Sequence, residues 1–100
     1  MIRHIVMFKL KDFPDEALKM TAAQEVVKRL DELPLKIEVI RKYEAGIDIR
    51  KLAWSFDVIL IMDFDSITDL EAYTTHPAHQ DFIAFNKDYS VDKVSIDYEV

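Results

Sequence analysis

The chain opens on strict alternation. Ile2, His4, Val6, Phe8 and Leu10 fall on one side of an extended segment, with Arg3, Ile5, Met7, Lys9 and Lys11 on the other, as a pleated strand requires. The period then changes. Asp12-Phe13-Pro14-Asp15-Glu16 reads as a helix start, with proline near the first turn and acids at the positive end of the helix dipole. Leu18, Ala22, Val26, Leu30 and Leu33 follow at helical spacing, and Ala23 and Val27 widen the stripe. This predicts an amphipathic helix that stops before Pro34.

Alternation returns at Ile37, Val39, Tyr43 and Ala45, a second strand ended by Gly46. Beyond the polar loop Asp48-Ile49-Arg50-Lys51, a third strand is predicted from Trp54 onward. Its even positions, Trp54, Phe56, Val58, Leu60, Met62 and Phe64, are all apolar; its odd positions run Ser55, Asp57, Ile59, Ile61, Asp63 and Asp65. Ser66-Ile67-Thr68-Asp69 has the form of a capping box with aspartate in place of glutamate. The helix it starts carries Leu70 and Tyr73. His76-Pro77 breaks that helix and restarts another, apolar at Ala78, Phe82 and Phe85. A last strand alternates Val94, Ile96, Tyr98 and Val100 against Lys93, Ser95, Asp97 and Glu99.

The order β-α-β-β-α-β, without repeats or linker, predicts one domain over residues 1–100. Its class is α+β: a ferredoxin-like four-stranded antiparallel sheet with helices on one face. The apolar even face of strand three belongs under the helices. Its odd face keeps Ile59 and Ile61 in mid-strand, joined by Ile5 and Met7 on strand one. Such a patch on an uncovered sheet is a liability for a monomer, and a second copy packing sheet to sheet removes it. A homodimer through that face is therefore expected.

Composition narrows the chemistry. With no cysteine there is no disulfide frame, thiolate metal site or cysteine nucleophile, and one glycine excludes phosphate loops and dinucleotide-binding turns. The formal charge of −6 is the wrong sign for gripping nucleic acid. The longest apolar run, Val58 to Met62, is far short of the roughly 20 residues that span a bilayer. No membrane association is expected, and with no leader recognisable a cytoplasmic location is the default expectation. No cofactor is expected either.

What remains is imidazole and phenol. His4 shares its face with the apolar residues of strand one. His79 lies near the start of the last helix, where it can turn inward. His76 precedes the proline and suits a helix cap. Tyr73 precedes His79 by six residues across the His-Pro break. A histidine takes up a proton near neutral pH, and a phenol donates to a developing oxyanion. Tyr73, His79 and His4 thus form a candidate acid/base group, although on spacing alone core roles suit Tyr73 and His4 better. The separation of His76 and His79 is disturbed by Pro77 and no metal motif accompanies it, so no metal site is expected. Asp57, Asp63 and Asp65 read as a solvated strand rim.

Two stretches carry a family resemblance. Ile2-Arg3-His4-Ile5-Val6-Met7-Phe8-Lys9 resembles the opening strand of the stress-responsive alpha/beta-barrel (Dabb) family. The segment from Phe64-Asp65-Ser66 through Leu70-Glu71-Ala72-Tyr73-Thr74-Thr75-His76-Pro77-Ala78-His79 resembles that family's aromatic helix ending in His-Pro-x-His. The resemblance implies a ferredoxin-like subunit whose sheet pairs with a second copy into a dimeric α+β barrel. A plant polyketide cyclase of the family performs cofactor-free aldol cyclisation between sheet and helices. Its catalytic tyrosine and histidine match Tyr73 and His79, its strand-one histidine matches His4, and Val58 stands where it has a further histidine. Similar barrels include cofactor-free monooxygenases. The expectation is a pocket for a small apolar or aromatic ligand, lined by Trp54, Phe56, Val58, Leu60 and Phe82. In it His79 would be general base, Tyr73 oxyanion donor and His4 an orienting partner. The competing expectation is a non-catalytic dimeric ligand-binding or stress-response protein.

Overall fold

The computed structural model describes all residues, 1–100. Its elements run β1 (Ile2–Leu10), α1 (Glu16–Lys36), β2 (Lys42–Ile47), β3 (Val58–Phe64), α2 (Ile67–Thr75), α3 (Pro77–Asn86) and β4 (Ser90–Glu99). The strands form one antiparallel sheet in the order β2-β3-β1-β4. This is the ferredoxin-like arrangement, with the second helical segment split in two at His76. No helix is long and apolar enough to cross a membrane.

Alternation places the core. Val6, Phe8 and Leu10 of β1 and Val58, Leu60, Met62 and Phe64 of β3 bury their side chains beneath the helices, against Ala22, Ala23, Val26, Leu30 and Leu33 of α1. The register pairs Ile5 with Ile61 and Met7 with Ile59, so the odd positions of both strands share the outer face. β4 adds Ile96 beside Ile5 and Val94 beside Met7.

Several boundaries differ from the sequence pattern. α1 starts at Glu16, one turn late, because Asp15 is the cap: its carboxylate accepts from the Leu18 amide at 2.8 Å, which leaves Pro14 outside the helix. The helix also runs through Pro34 to Lys36. A proline in the last turn removes only one backbone hydrogen bond, and buried Leu33 and Ile37 hold the turn down. Ile37 is accordingly the C-cap of α1, and β2 begins only at Lys42. Gly46 lies inside β2, opposite Ile59. β3 begins at Val58, because the chain turns at residues 53–54 and Trp54 is left 78% exposed.

The acids of β3 are not a solvated rim. Asp63 is buried, and Arg3 donates to both its oxygens at 2.9 and 3.0 Å, which holds its carboxyl well below the usual range. Asp57, just before β3, accepts from the Leu10 amide at 2.7 Å and pairs with Lys19. Both acids tie β3 to its neighbours. Only Asp65, paired with Arg41, sits where solvent reaches it.

Candidate functional site

Helix α1 lies across β2 and β3, and α2 against β1 and β3; no helix packs closely over the edge strand β4. The sheet therefore continues past its helical cover, and a cleft of about 450 Å³ opens there. Its floor is His4, Val6 and Phe8 of β1 with Lys93 and Ser95 of β4; its wall is Tyr73 and Thr74 of α2 with His79, Phe82, Ile83 and Asn86 of α3.

The corner between α2 and α3 positions the polar groups of the wall. His76 ends α2 and caps α3, its Nδ1 accepting from the Ala78 amide at 3.0 Å, and Pro77 takes the first helical position. The carbonyl of Thr74, freed by the end of α2, accepts from His79 Nδ1 at 2.8 Å and Gln80 Nε2 at 2.9 Å. A carbonyl only accepts, so Nδ1 carries the proton and Nε2 keeps its lone pair. Burial, with the nearby charge of Lys93, lowers the His79 pKa below its ordinary 6.5; the bond to Thr74 opposes this only in part. At pH 7 the imidazole is neutral with a free basic nitrogen.

Tyr73 packs its ring on His79, centroids 4.4 Å apart, and on Phe64 at 5.2 Å. Its ring is buried. The hydroxyl has no hydrogen-bond partner in the protein and is not fully buried, and Tyr73 lines the cleft. Burial raises its pKa, keeping the phenol protonated and able to donate. His4 lies edge-on to Tyr73, centroids 5.9 Å apart. Its Nδ1 donates to Asp97 Oδ1 of the facing β4 residue, a contact that orients the ring.

The three residues singled out in the sequence thus meet on one cleft. Of the expected lining, Leu60 and Phe82 belong to it. Trp54 and Phe56 do not: they lie before β3 begins and line a separate hollow with Met7 and Gly46. Val58 sits opposite Phe8 and is buried in the core, off the cleft wall. Sequence reasoning missed Asn86, Ser90 and Asp97. Asn86 is buried and accepts from the Ser90 hydroxyl at 2.8 Å; a lone asparagine ending an amphipathic helix gives no signal of this. No three His, Asp or Glu side chains converge in a way that would hold a metal ion.

Comparison with known proteins agrees with this architecture. Residues 2–100 match the Stress Responsive A/B Barrel Domain, Dabb. An uncharacterised protein of Streptomyces coelicolor is 30% identical over 100 residues, covering 99% of each chain. A dimeric protein of unknown function and ferredoxin-like fold from Bacteroides fragilis superposes with a TM-score of 0.87 at 30% identity, covering 99% of this chain and 95% of that one. A hydroxynitrile lyase from Passiflora edulis shares the fold, with a TM-score of 0.79 at 17% identity and coverage of 97% and 90%.

Proposed function

The chain belongs to the stress responsive A/B barrel domain family, and from that premise we propose that its cleft binds a small carbonyl compound with an apolar or aromatic body and moves a proton on it without a cofactor. The observation that carries this reading is the pairing of a neutral, Nδ1-protonated His79 with a protonated Tyr73 hydroxyl that has no partner of its own. His79 Nε2 takes a proton from the carbon beside the carbonyl. Tyr73 donates to the carbonyl oxygen as it gains enolate charge. The enolate then recovers a proton from the imidazolium, or its carbon attacks a second carbonyl of the same molecule in an aldol-type ring closure, whose new alkoxide oxygen takes that proton from the imidazolium and becomes the hydroxyl. His4, oriented by Asp97, stands beside Tyr73. The apolar floor of Val6, Phe8 and Leu60 selects by size and shape. A protein of this fold that is a hydroxynitrile lyase supports only the general point that the fold can host an enzyme.

We also propose that the protein is a homodimer through its outer sheet face, which carries Ile5, Met7, Ile59, Ile61, Val94 and Ile96. Sedimentation should give twice the 11.7 kDa chain mass at micromolar concentration; a monomer there contradicts the proposal.

The test of the chemistry is deuterium uptake from D2O at the α-carbon of a panel of aryl ketones and β-diketones, followed by proton NMR. Exchange should be catalysed by the wild type and lost in His79→Gln and Tyr73→Phe. Binding of these compounds without exchange selects the non-catalytic ligand-binding alternative.

A further inference from the structure

Gly46 is the single glycine of the chain, and its backbone does not call for glycine, since its φ is not in the positive region. A glycine inside a strand forgoes packing and weakens the strand, and often marks a close approach by another chain or a ligand. The register shows what the missing side chain creates. Gly46 faces Ile59, Ile59 faces Met7 and Met7 faces Val94, so these four make one row across the outer face. The row begins at the β2 edge with no side chain and ends at the β4 edge with an exposed valine. A Cβ on Gly46 would rest 3.4 Å from Ile59 Cγ2. The volume given up lies on the open side. There Met7, Ile47, Trp54, Phe56 and Ile59 line a hollow of about 400 Å³, with Trp54, the only tryptophan, standing exposed at the rim.

We propose that the hollow over Gly46 is a socket for a β4 side chain of a second copy, Val94 or Ile96, with Trp54 closing over it. The inference rests on the sheet-to-sheet dimer proposed above and identifies its locking contact. The occupant is a second copy because one face carries both halves of the fit. The socket lies at the β2 edge, and the protruding Val94 and Ile96 lie at the β4 edge. A two-fold axis parallel to the strands, running between the sheets, sets β2 of each copy against β4 of the other. Both sockets are then filled at once, as an isologous interface demands. The socket is also continuous with the apolar centre of that face, since Ile59 and Met7 belong to both.

The experiment is sedimentation of the full chain with Trp54 fluorescence as a reporter. The wild type should be a dimer whose emission moves to longer wavelength as dilution frees Trp54. Gly46→Val fills the socket, and it should raise the dimer dissociation constant roughly tenfold or more with an unchanged far-UV spectrum. Val94→Ala added to it should restore part of the loss. Gly46→Ala should act in the same direction more weakly, and it covers the case in which valine disturbs folding. A dimer whose dissociation constant is unchanged in both Gly46 variants overturns the socket and leaves the dimer standing. A monomeric wild type overturns the dimer, and the socket with it.

Discussion

Two halves of the same sheet face have opposite fates. Where α1 lies over β3 the core closes completely, and Val26, Leu30 and Met62 have 0% of their surface exposed. Val6 and Phe8 of β1 are still buried, and beyond them, toward β4, the space stays open as the cleft. Alternation writes both halves, but on β4 it turns the polar set, Lys93, Ser95 and Asp97, toward the helices and sends Val94 and Ile96 to the outer face. The difference comes from strand order, which sends β4 to the edge beyond the reach of α1 and leaves it facing the α2–α3 corner. Apolar rows thus pack where a helix covers them, and a cleft with a polar β4 edge is left where none does.

The contrast predicts that substitutions in the closed half act on stability and those in the open half on chemistry. Leu30→Ala should show the largest stability loss, about 3 kcal/mol by urea unfolding, because α1 is held on both sides and the cavity cannot collapse. His79→Gln removes one hydrogen bond to a backbone carbonyl and should lose only about 1 kcal/mol, while α-carbon exchange falls by roughly a hundredfold or more. Tyr73→Phe should change stability least, by under about 1 kcal/mol, since the hydroxyl bonds nothing in the protein; exchange should again fall. A Tyr73→Phe loss as large as that of Leu30→Ala would erase the distinction.

A smaller effect follows from pH. The folded pKa of His79 lies below its unfolded value near 6.5, so between the two the unfolded chain binds more protons than the folded one. This contribution is fully present above pH 6.5 and is lost as pH falls through the folded pKa. Chemical denaturation across that range should show stability falling with acid in the wild type and less so in His79→Gln.

What the sequence made legible was local. The His76-Pro77 break, the cap before it and the short separation of Tyr73 from His79 all lie within about three turns of chain, where spacing and proline geometry decide the outcome. The inward side of His4 followed from the period of two on β1. Long-range register was not legible. Asp97 meets His4 only because β4 pairs with β1 across 93 residues of sequence, and no local pattern fixes that pairing. Trp54 and Phe56 misled because their alternation runs on in step with β3 although the chain turns at residues 53–54 and pairs as a strand only from Val58. Pro34 misled because its effect depends on place: the same ring that would break a mid-helix is tolerated one turn from the end.

The central claim is that the cleft holds a neutral imidazole with a free basic nitrogen beside a protonated phenol. Nitrogen-15 NMR of histidine-labelled protein, titrated across neutral pH, measures this directly. The account predicts that His79 is the Nδ1-protonated tautomer at pH 7 and takes up its proton only below pH 6.5. A His79 that is Nε2-protonated at pH 7, or that is already charged there, would contradict it.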